Sequence, residues 1–220
     1  MLGVTRHGVI EIIVGTLALA LIATGLMWIH PLLGLLVLPV WVWLLAFFRD
    51  PQRPISEEPG VYVSPADGLV SDVTHVDHDP LINGPAVRVG IFLSVFNVHV
   101  NRSPCAGKIS ETIYREGKFL NALNHNGASN DNESNTIVVT NELGEVVAVV
   151  KQIVGLIARR IVCTVKPGDA VTRGQRIGMI KFGSRTELTI PAKLSPTVLV
   201  KTGDKVRGGA DLLARITTSA

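Results

Sequence analysis

Cysteine is nearly absent from this 220-residue chain. Cys105 and Cys163 stand far apart and make no CxxC, which excludes a paired-thiol centre and leaves two reduced thiols, as expected of a cytoplasmic domain. Neither thiol has a partnering motif that would make it a nucleophile. Metal-ligand clusters are lacking too: His75-Val76-Asp77-His78 has suitable spacing but no third ligand, and reads as surface. Aromatic residues make up 5% of the chain and do not interleave with its basic residues, so nucleic acid is not an expected partner. Charges appear singly, with no block of one sign. Helical patterning is scarce beyond the N-terminus, where Lys118–Asn124 is the one persuasive stretch, and a short one.

Apolar residues are plentiful, at 47% of the chain with a mean hydropathy of +0.37, and the excess sits in the first 48 residues. One apolar run covers Ile12–Ile29. After His30-Pro31, a second covers Leu32–Phe48. A bilayer crossing takes about 20 apolar residues, with about 17 at the low end, so each run is of marginal spanning length. A signal peptide would end at a small-residue cleavage site, whereas Met27, Trp28, Ile29 and Pro31 occupy that place. Arg6 before the pair, and Arg49 and Arg53 after it, put positive charge on the same side of both runs. This predicts a membrane-associated hairpin over residues 1–48 with both ends in the cytoplasm, at the cell (inner) membrane. A hairpin dipping into one leaflet is the alternative. Trp28, Trp41 and Trp43 would serve as interfacial anchors.

Charge is divided along the remainder. Residues 57–150 carry 12 acidic and 5 basic side chains, and residues 151–220 carry 4 acidic and 13 basic. A basic C-terminal part would attract anionic headgroups, although dispersed charges also suit a plain solvated surface.

Residues 49–60, with Asp50-Pro51-Gln52-Arg53-Pro54, read as a stiff linker. Beyond it, Val61-Tyr62-Val63, Val87–Val100, Thr136–Val139, Val146–Val154, Arg160–Val165, Leu188–Ile190 and Thr197–Val200 are β-branched runs bounded by turn residues. A mainly β domain over 61–220 follows. The polar segment Ala122–Asn135 reads as a long loop. Two echoes refine the fold. Ser64-Pro65-Ala66-Asp67-Gly68 recurs as Ser103-Pro104-Cys105-Ala106-Gly107, and Lys166-Pro167-Gly168-Asp169-Ala170-Val171 recurs as Lys201-Thr202-Gly203-Asp204-Lys205-Val206. Repeated turns between short strands suggest a barrel built from repeated units. The second echo resembles the turn of lipoyl and biotinyl-carrier domains, so a barrel-sandwich is expected, with an ordinary β-sandwich as the alternative.

Gly183-Ser184 is the only Gly-Ser pair, and with 21 Gly and 11 Ser in the chain chance alone supplies one. Its setting is more telling. It follows the strand Gln175–Lys181 and leads into another, and a permissive glycine on a tight turn lets a serine hydroxyl reach back to the preceding carbonyl. Along Val87–Asn101 one face reads Val87, Val89, Ile91, Leu93, Val95, then Asn97, His99, Asn101. An apolar face that turns polar is leaving a core and entering a site. Of six histidines only His99 has this setting. Asp67, taken alone, is an ordinary turn residue.

Taken together, Ser64-Pro65-Ala66-Asp67-Gly68, Phe96-Asn97-Val98-His99-Val100-Asn101-Arg102-Ser103-Pro104, Asn132-Glu133 and Phe182-Gly183-Ser184-Arg185 resemble the phosphatidylserine decarboxylases, in the short form found in bacteria and archaea. The resemblance implies a self-processing pyruvoyl enzyme of phospholipid biosynthesis. The precursor would be cut between Gly183 and Ser184 into a β chain, 1–183, and an α chain, 184–220, which stay associated. Asp67 and His99 would form the proton relay, and Ser184 would become the pyruvoyl group that takes the substrate amine as a Schiff base; no metal is implied. Asn97, Arg102, Asn132, Glu133 and Arg185 are the implied substrate contacts, with Arg159 and Arg160 as alternatives for phosphate. The expected partners are a serine-headed phospholipid and the membrane, and a homo-oligomer is compatible with all of this. Longer family members carry two histidines in the strand motif and this chain carries only His99, so one histidine would serve both self-cleavage and decarboxylation. A non-enzymatic membrane adaptor with a lipoyl-like domain is the reading from a different class, and a pyruvoyl decarboxylase acting on another serine-headed lipid is a nearer one.

Overall fold

The computed structural model describes residues 3–118, 131–155, 160–181 and 184–216. Gly183, Phe182 and Arg159 lie outside the described residues, as does most of both Lys118–Asn124 and Ala122–Asn135. The chain divides into two compact units, Met1–Gln52 and Arg53–Ala220.

The first unit is a helical hairpin. Helix α1 covers Val9–Ile29, a 3-10 segment Pro31–Val37 follows, and α2 covers Leu38–Phe47. The turn forms where His30 leaves helical geometry and its Nδ1 accepts from the Leu32 amide at 3.3 Å; Pro31 then starts the next helical segment, where its missing amide hydrogen is no loss. Gly15 allows close approach, since a Cβ there would sit 2.6 Å from the Leu44 side chain. Trp41 Nε1 donates to Thr16 Oγ1 at 3.1 Å. The ends are tied by Thr5 N to Phe48 O at 2.9 Å and Asp50 N to Gly3 O at 2.6 Å. No residue of α1 is buried. The stretch Arg6–Ile29 has a mean hydropathy of 2.3 and is, by length and composition, long and apolar enough to cross a membrane.

The second unit is the expected barrel-sandwich. Its strands are β1 (Val61–Val63), β2 (Gly68–Asp79), β3 (Gly84–Leu93), β4 (Val100–Arg102), β5 (Gly107–Arg115), β6 (Ser134–Thr140), β7 (Val146–Val154), β8 (Arg160–Cys163), β9 (Ala170–Val171), β10 (Arg176–Lys181), β11 (Ser184–Pro191), β12 (Pro196–Val198), β13 (Lys205–Val206) and β14 (Leu212–Ile216). One sheet has the order β13-β2-β3-β11-β7-β6-β5-β9, and two three-stranded sheets have the orders β1-β14-β12 and β4-β10-β8. The apolar core includes Val70, Ile91, Leu93, Ile109, Ile137, Val150, Ile177 and Leu188.

The sequence echoes are structural repeats. Val63 N donates to Pro104 O and Arg102 N to Pro65 O, both at 2.9 Å, so the two Ser-Pro turns exchange hydrogen bonds reciprocally. Ser64 Oγ closes on Ala66 O and Ser103 Oγ on Cys105 O, each at 2.7 Å. In the second pair, Asp169 and Asp204 each accept from the amide three residues back, Lys166 N and Lys201 N, at 2.9 Å. Gly168 and Gly203 take φ of +96° and +95°, a region glycine enters without steric cost.

Three sequence expectations change. The strand read as Val87–Val100 ends at Leu93, because Asn97 Oδ1 accepts from Ser94 N at 2.9 Å and Ser94 Oγ at 2.7 Å and folds 94–97 into a turn. Residues 134–135, read as loop, open β6. The linker is also divided: residues 49–52 fall in the first unit, whereas Arg53 pairs with Asp67 and Ile55 lies where a Cβ on Gly174 or Gly209 would clash.

Among the described residues nothing lies within 4 Å of a Cβ added at Gly168 or Gly203, so substitution there tests backbone conformation. Gly168→Ala and Gly203→Ala should each destabilise by about 1–2 kcal/mol. Denaturant melts of the two single variants and the double variant check this.

Candidate active site

Ser184 opens β11, the strand hydrogen-bonded on both sides. It pairs with Leu93 at the end of β3 and with Val154 at the end of β7. Side chains alternate across a strand, so Ser184, Thr186, Leu188 and Ile190 share one face, and Leu188 and Ile190 place that face in the core. Ser184 is fully buried, and among the described residues its Oγ has no hydrogen-bond partner. The buried hydroxyls of Ser64 and Ser103 are satisfied by carbonyls. Leaving a buried hydroxyl unpaired costs about 1–3 kcal/mol, which makes Ser184 an exception that needs a reason.

A buried amide chain sets the level of the opposing elements. Asn101 Nδ2 on β4 donates to Thr186 Oγ1 at 3.0 Å, Gln152 Nε2 on β7 donates to Asn101 Oδ1 at 2.9 Å, and Asn135 Nδ2 on β6 donates to Gln152 Oε1 at 2.9 Å. Gly178 is the β10 partner of Asn101, and a Cβ there would lie 2.9 Å from Gln152 Nε2. Gly178 therefore lies against the Gln152 amide and Thr186 against the Asn101 amide. Two residues nearer the β10–β11 connection, Ile180 N donates to His99 O at 3.2 Å, and two residues nearer along β11 lies Ser184.

His99 is fully buried, and its Nδ1 lies 3.0 Å from the Asn97 carbonyl oxygen. A carbonyl only accepts, so Nδ1 carries the hydrogen and Nε2 is the nitrogen with the lone pair. The group orienting the ring is therefore a backbone carbonyl. Asp67 is also buried, but its carboxylate is held elsewhere: Arg53 donates to both oxygens, at 2.5 and 2.7 Å, and Gly208 N donates to Oδ1 at 2.8 Å.

The remaining expected contacts fall in different places. Asn132 Nδ2 donates to Val154 O at 2.8 Å, and Val154 N donates to Glu133 O at 3.1 Å, so both loop residues sit beside the strand end that pairs with Ser184. Asn97 shapes the 94–97 turn, and Arg102 NH1 donates to Gly174 O at 3.0 Å. Arg185 is on the sheet face opposite Ser184, where it donates to Glu187 at 2.9 Å, to Asp72 at 2.7 Å and to Ser71. Gly90 makes room for it, since a Cβ there would lie 2.1 Å from the guanidinium. Arg160 is exposed on β8. Burial pushes the Cys105 thiol up to about 12, against the opposing charge of Arg173, which leaves it unreactive. Among the described residues no group of three His, Cys, Asp or Glu side chains could hold a metal.

Sequence reasoning missed Arg53, Lys205 and Arg207. A cleft of about 650 Å3 beside Asp67 is bordered by Phe92, Ser94, Asn97, Lys205 and Arg207. Only the proximity of Lys205 and Arg207 to the repeated Gly-Asp turn could have flagged them.

This fold and site coincide with a known class. The family model for phosphatidylserine decarboxylase matches residues 42–214. The chain is 49% identical over 184 residues to a phosphatidylserine decarboxylase proenzyme of Carboxydothermus hydrogenoformans, covering 84% of each chain. It is 43% identical over 213 residues to the one of Rhodopirellula baltica, covering 96% of this chain and 87% of that one. It is 45% identical over 214 residues to that of Solidesulfovibrio magneticus, covering 97% and 96%. The chain belongs to the phosphatidylserine decarboxylase family.

Two outcomes test this description. Gln152→Leu orphans Asn101 and Asn135 and should destabilise by about 1–3 kcal/mol for each group left unpaired, measured by denaturant unfolding. Burial alone would raise the Asp72 carboxyl, but the charge and hydrogen bonds of Arg185 hold it below its ordinary 3.8. A carboxyl lowered by folding stabilises fully above its unfolded value and loses that contribution as pH falls through the folded one. Asp72→Asn should therefore flatten the fall of stability with pH below 3.8, read from melts across the acid range.

Proposed function

We propose that this chain is a proenzyme that cuts itself between Gly183 and Ser184, and that the resulting pyruvoyl enzyme decarboxylates phosphatidylserine to phosphatidylethanolamine and carbon dioxide. The observation that carries this reading is the Ser184 hydroxyl, buried and without a hydrogen-bond partner among the described residues. A resting structural serine would be satisfied. A nucleophile awaiting a base has reason not to be.

In this reading His99 Nε2 takes the Ser184 hydroxyl proton, as the Asn97 carbonyl fixes the tautomer. Ser184 Oγ attacks the Gly183 carbonyl carbon, the peptide C–N bond breaks, and an ester forms. Removal of the Ser184 Cα proton expels the Gly183 carboxylate and leaves a dehydroalanine, which water converts to a pyruvoyl group with release of ammonia. That group supplies an electron sink for loss of carbon dioxide from a bound amine. In the relay Asp67 supports His99 from the cleft that Asn97 also lines, and His99 is the candidate that returns a proton to the product carbon. Lys205 and Arg207 offer cationic partners for a headgroup phosphate in the cleft beside Asp67, and Asn132 and Glu133 border the Ser184 strand. The apolar hairpin holds the enzyme at the cytoplasmic face of the cell membrane, where its lipid substrate is.

The purified protein should give two masses, a large chain ending at Gly183 and a small one beginning at the former Ser184 with a blocked N-terminus. Ser184→Ala should remain a single 23.6 kDa chain and release no carbon dioxide. Labelled phosphatidylserine in detergent should release carbon dioxide, and free serine should not. A fully active wild-type protein with one unmodified chain would overturn the reading.

A further inference from the structure

We propose that Arg53 is a positioning residue of this reaction: its guanidinium fixes the orientation of the Asp67 carboxylate. The inference rests on the reading of Asp67 as a member of the relay.

The chain contains its own control. The turns at 64–68 and 103–107 are built alike, with the same serine closure and the same reciprocal bonds. Where the first has Asp67, the second has Ala106, and where the first has Gly208 beside it, the second has Arg173. The turn therefore folds without an acid, and Asp67 is an addition to it. A carboxylate this buried, 6% exposed, needs a compensating charge.

Arg53 supplies that charge from outside both repeats. Its two terminal nitrogens grip the two carboxylate oxygens at 2.5 and 2.7 Å, and NH1 also donates to Gly208 O at 2.7 Å. Gly208 N returns a bond to Asp67 Oδ1 at 2.8 Å, closing a ring of hydrogen bonds. Such two-pronged, charge-assisted pairing fixes orientation as well as charge. A Cβ on Gly208 would lie only 3.1–3.3 Å from the Ala66 backbone, so the ring is tightly fitted. The other charged groups around the cleft are Lys205, Arg207 and Asp211, and Arg207 is engaged with Asp211 at 2.9 Å. Arg173 of the second repeat instead donates to the Ser56 and Glu58 carbonyls, at 2.7 and 2.6 Å. Both turns are thus tied to the segment following the apolar hairpin, but only the one bearing the acid receives a guanidinium on a carboxylate.

Self-cleavage can be followed on gels after cell-free synthesis of the full chain into detergent, over a range of pH, for wild type, Arg53→Gln, Arg53→Lys and Asp67→Asn. Removing the fork leaves the carboxylate free to turn, and Arg53→Gln should therefore cleave about tenfold more slowly across the range. Arg53→Lys keeps the charge without the fork and should fall between. Should Arg53→Gln fail to accumulate folded, partial slowing in Arg53→Lys supports the proposal and a wild-type rate in Arg53→Lys overturns it. An Arg53→Gln chain that cleaves at the wild-type rate or faster, or equal slowing by Gln and Lys, overturns it as well. If Asp67→Asn cleaves normally, the relay reading itself has failed; if Asp67→Asn is slow and Arg53→Gln is normal, the role given to Arg53 alone has failed.

Discussion

Gln152 is the hinge pin of the β-rich unit. It is fully buried, and its amide lies between Asn101 on β4 and Asn135 on β6. Asn101 in turn reaches Thr186 on β11. Polar groups in an apolar core are tolerated only when every partner is present, so this chain of amides admits one register and rejects its neighbours. A slip of one residue along β4 or β11 would leave several buried groups unpaired and turn each strand's inner face outward.

The same alternation divides labour across β11. Toward the core stand Ser184, Thr186, Leu188 and Ile190, and on the other face stand Arg185 and Glu187. Arg185 is almost completely buried in its ion pairs, and Gly90 lies beneath it with no side chain of its own. An ionic layer on one face therefore steadies a strand whose opposite face carries Ser184. Charge next to a site need not be charge in the site.

What the sequence disclosed, and what it hid, divides by range. The repeated turns were legible because their chemistry is local: a glycine at positive φ and an aspartate accepting from the amide three residues back. Strand β7 was readable over its full length, Val146–Val154, because it is buried on both faces and nearly all apolar. The strand through Val87 was overrun because alternation continues past Leu93, while a side-chain bond from Ser94 to Asn97 ends the strand. Strand β2 was hidden by its histidines and aspartates, which its half-exposed edge tolerates. For the candidate site, Asp67, His99 and Ser184 each stand in a short motif visible in the sequence. The pairing of Arg53 with Asp67 could not, because it spans what reads as a linker and depends on how the chain folds back.

The placement of Ser184 has one more consequence. Strand β11 is an inner stave of the eight-stranded sheet, laddered to β3 along its whole length and to β7 along most of it, and strands after it pair with strands ahead of it: β14 with β1, and β13 with β2. A break in the backbone ahead of Ser184 would cut the thread without loosening the weave. The liberated end would stay clamped between two neighbours, its first residue buried, and the severed piece could leave only if the barrel itself came apart. A new terminus created there is therefore held in place by strands that were already paired before the cut.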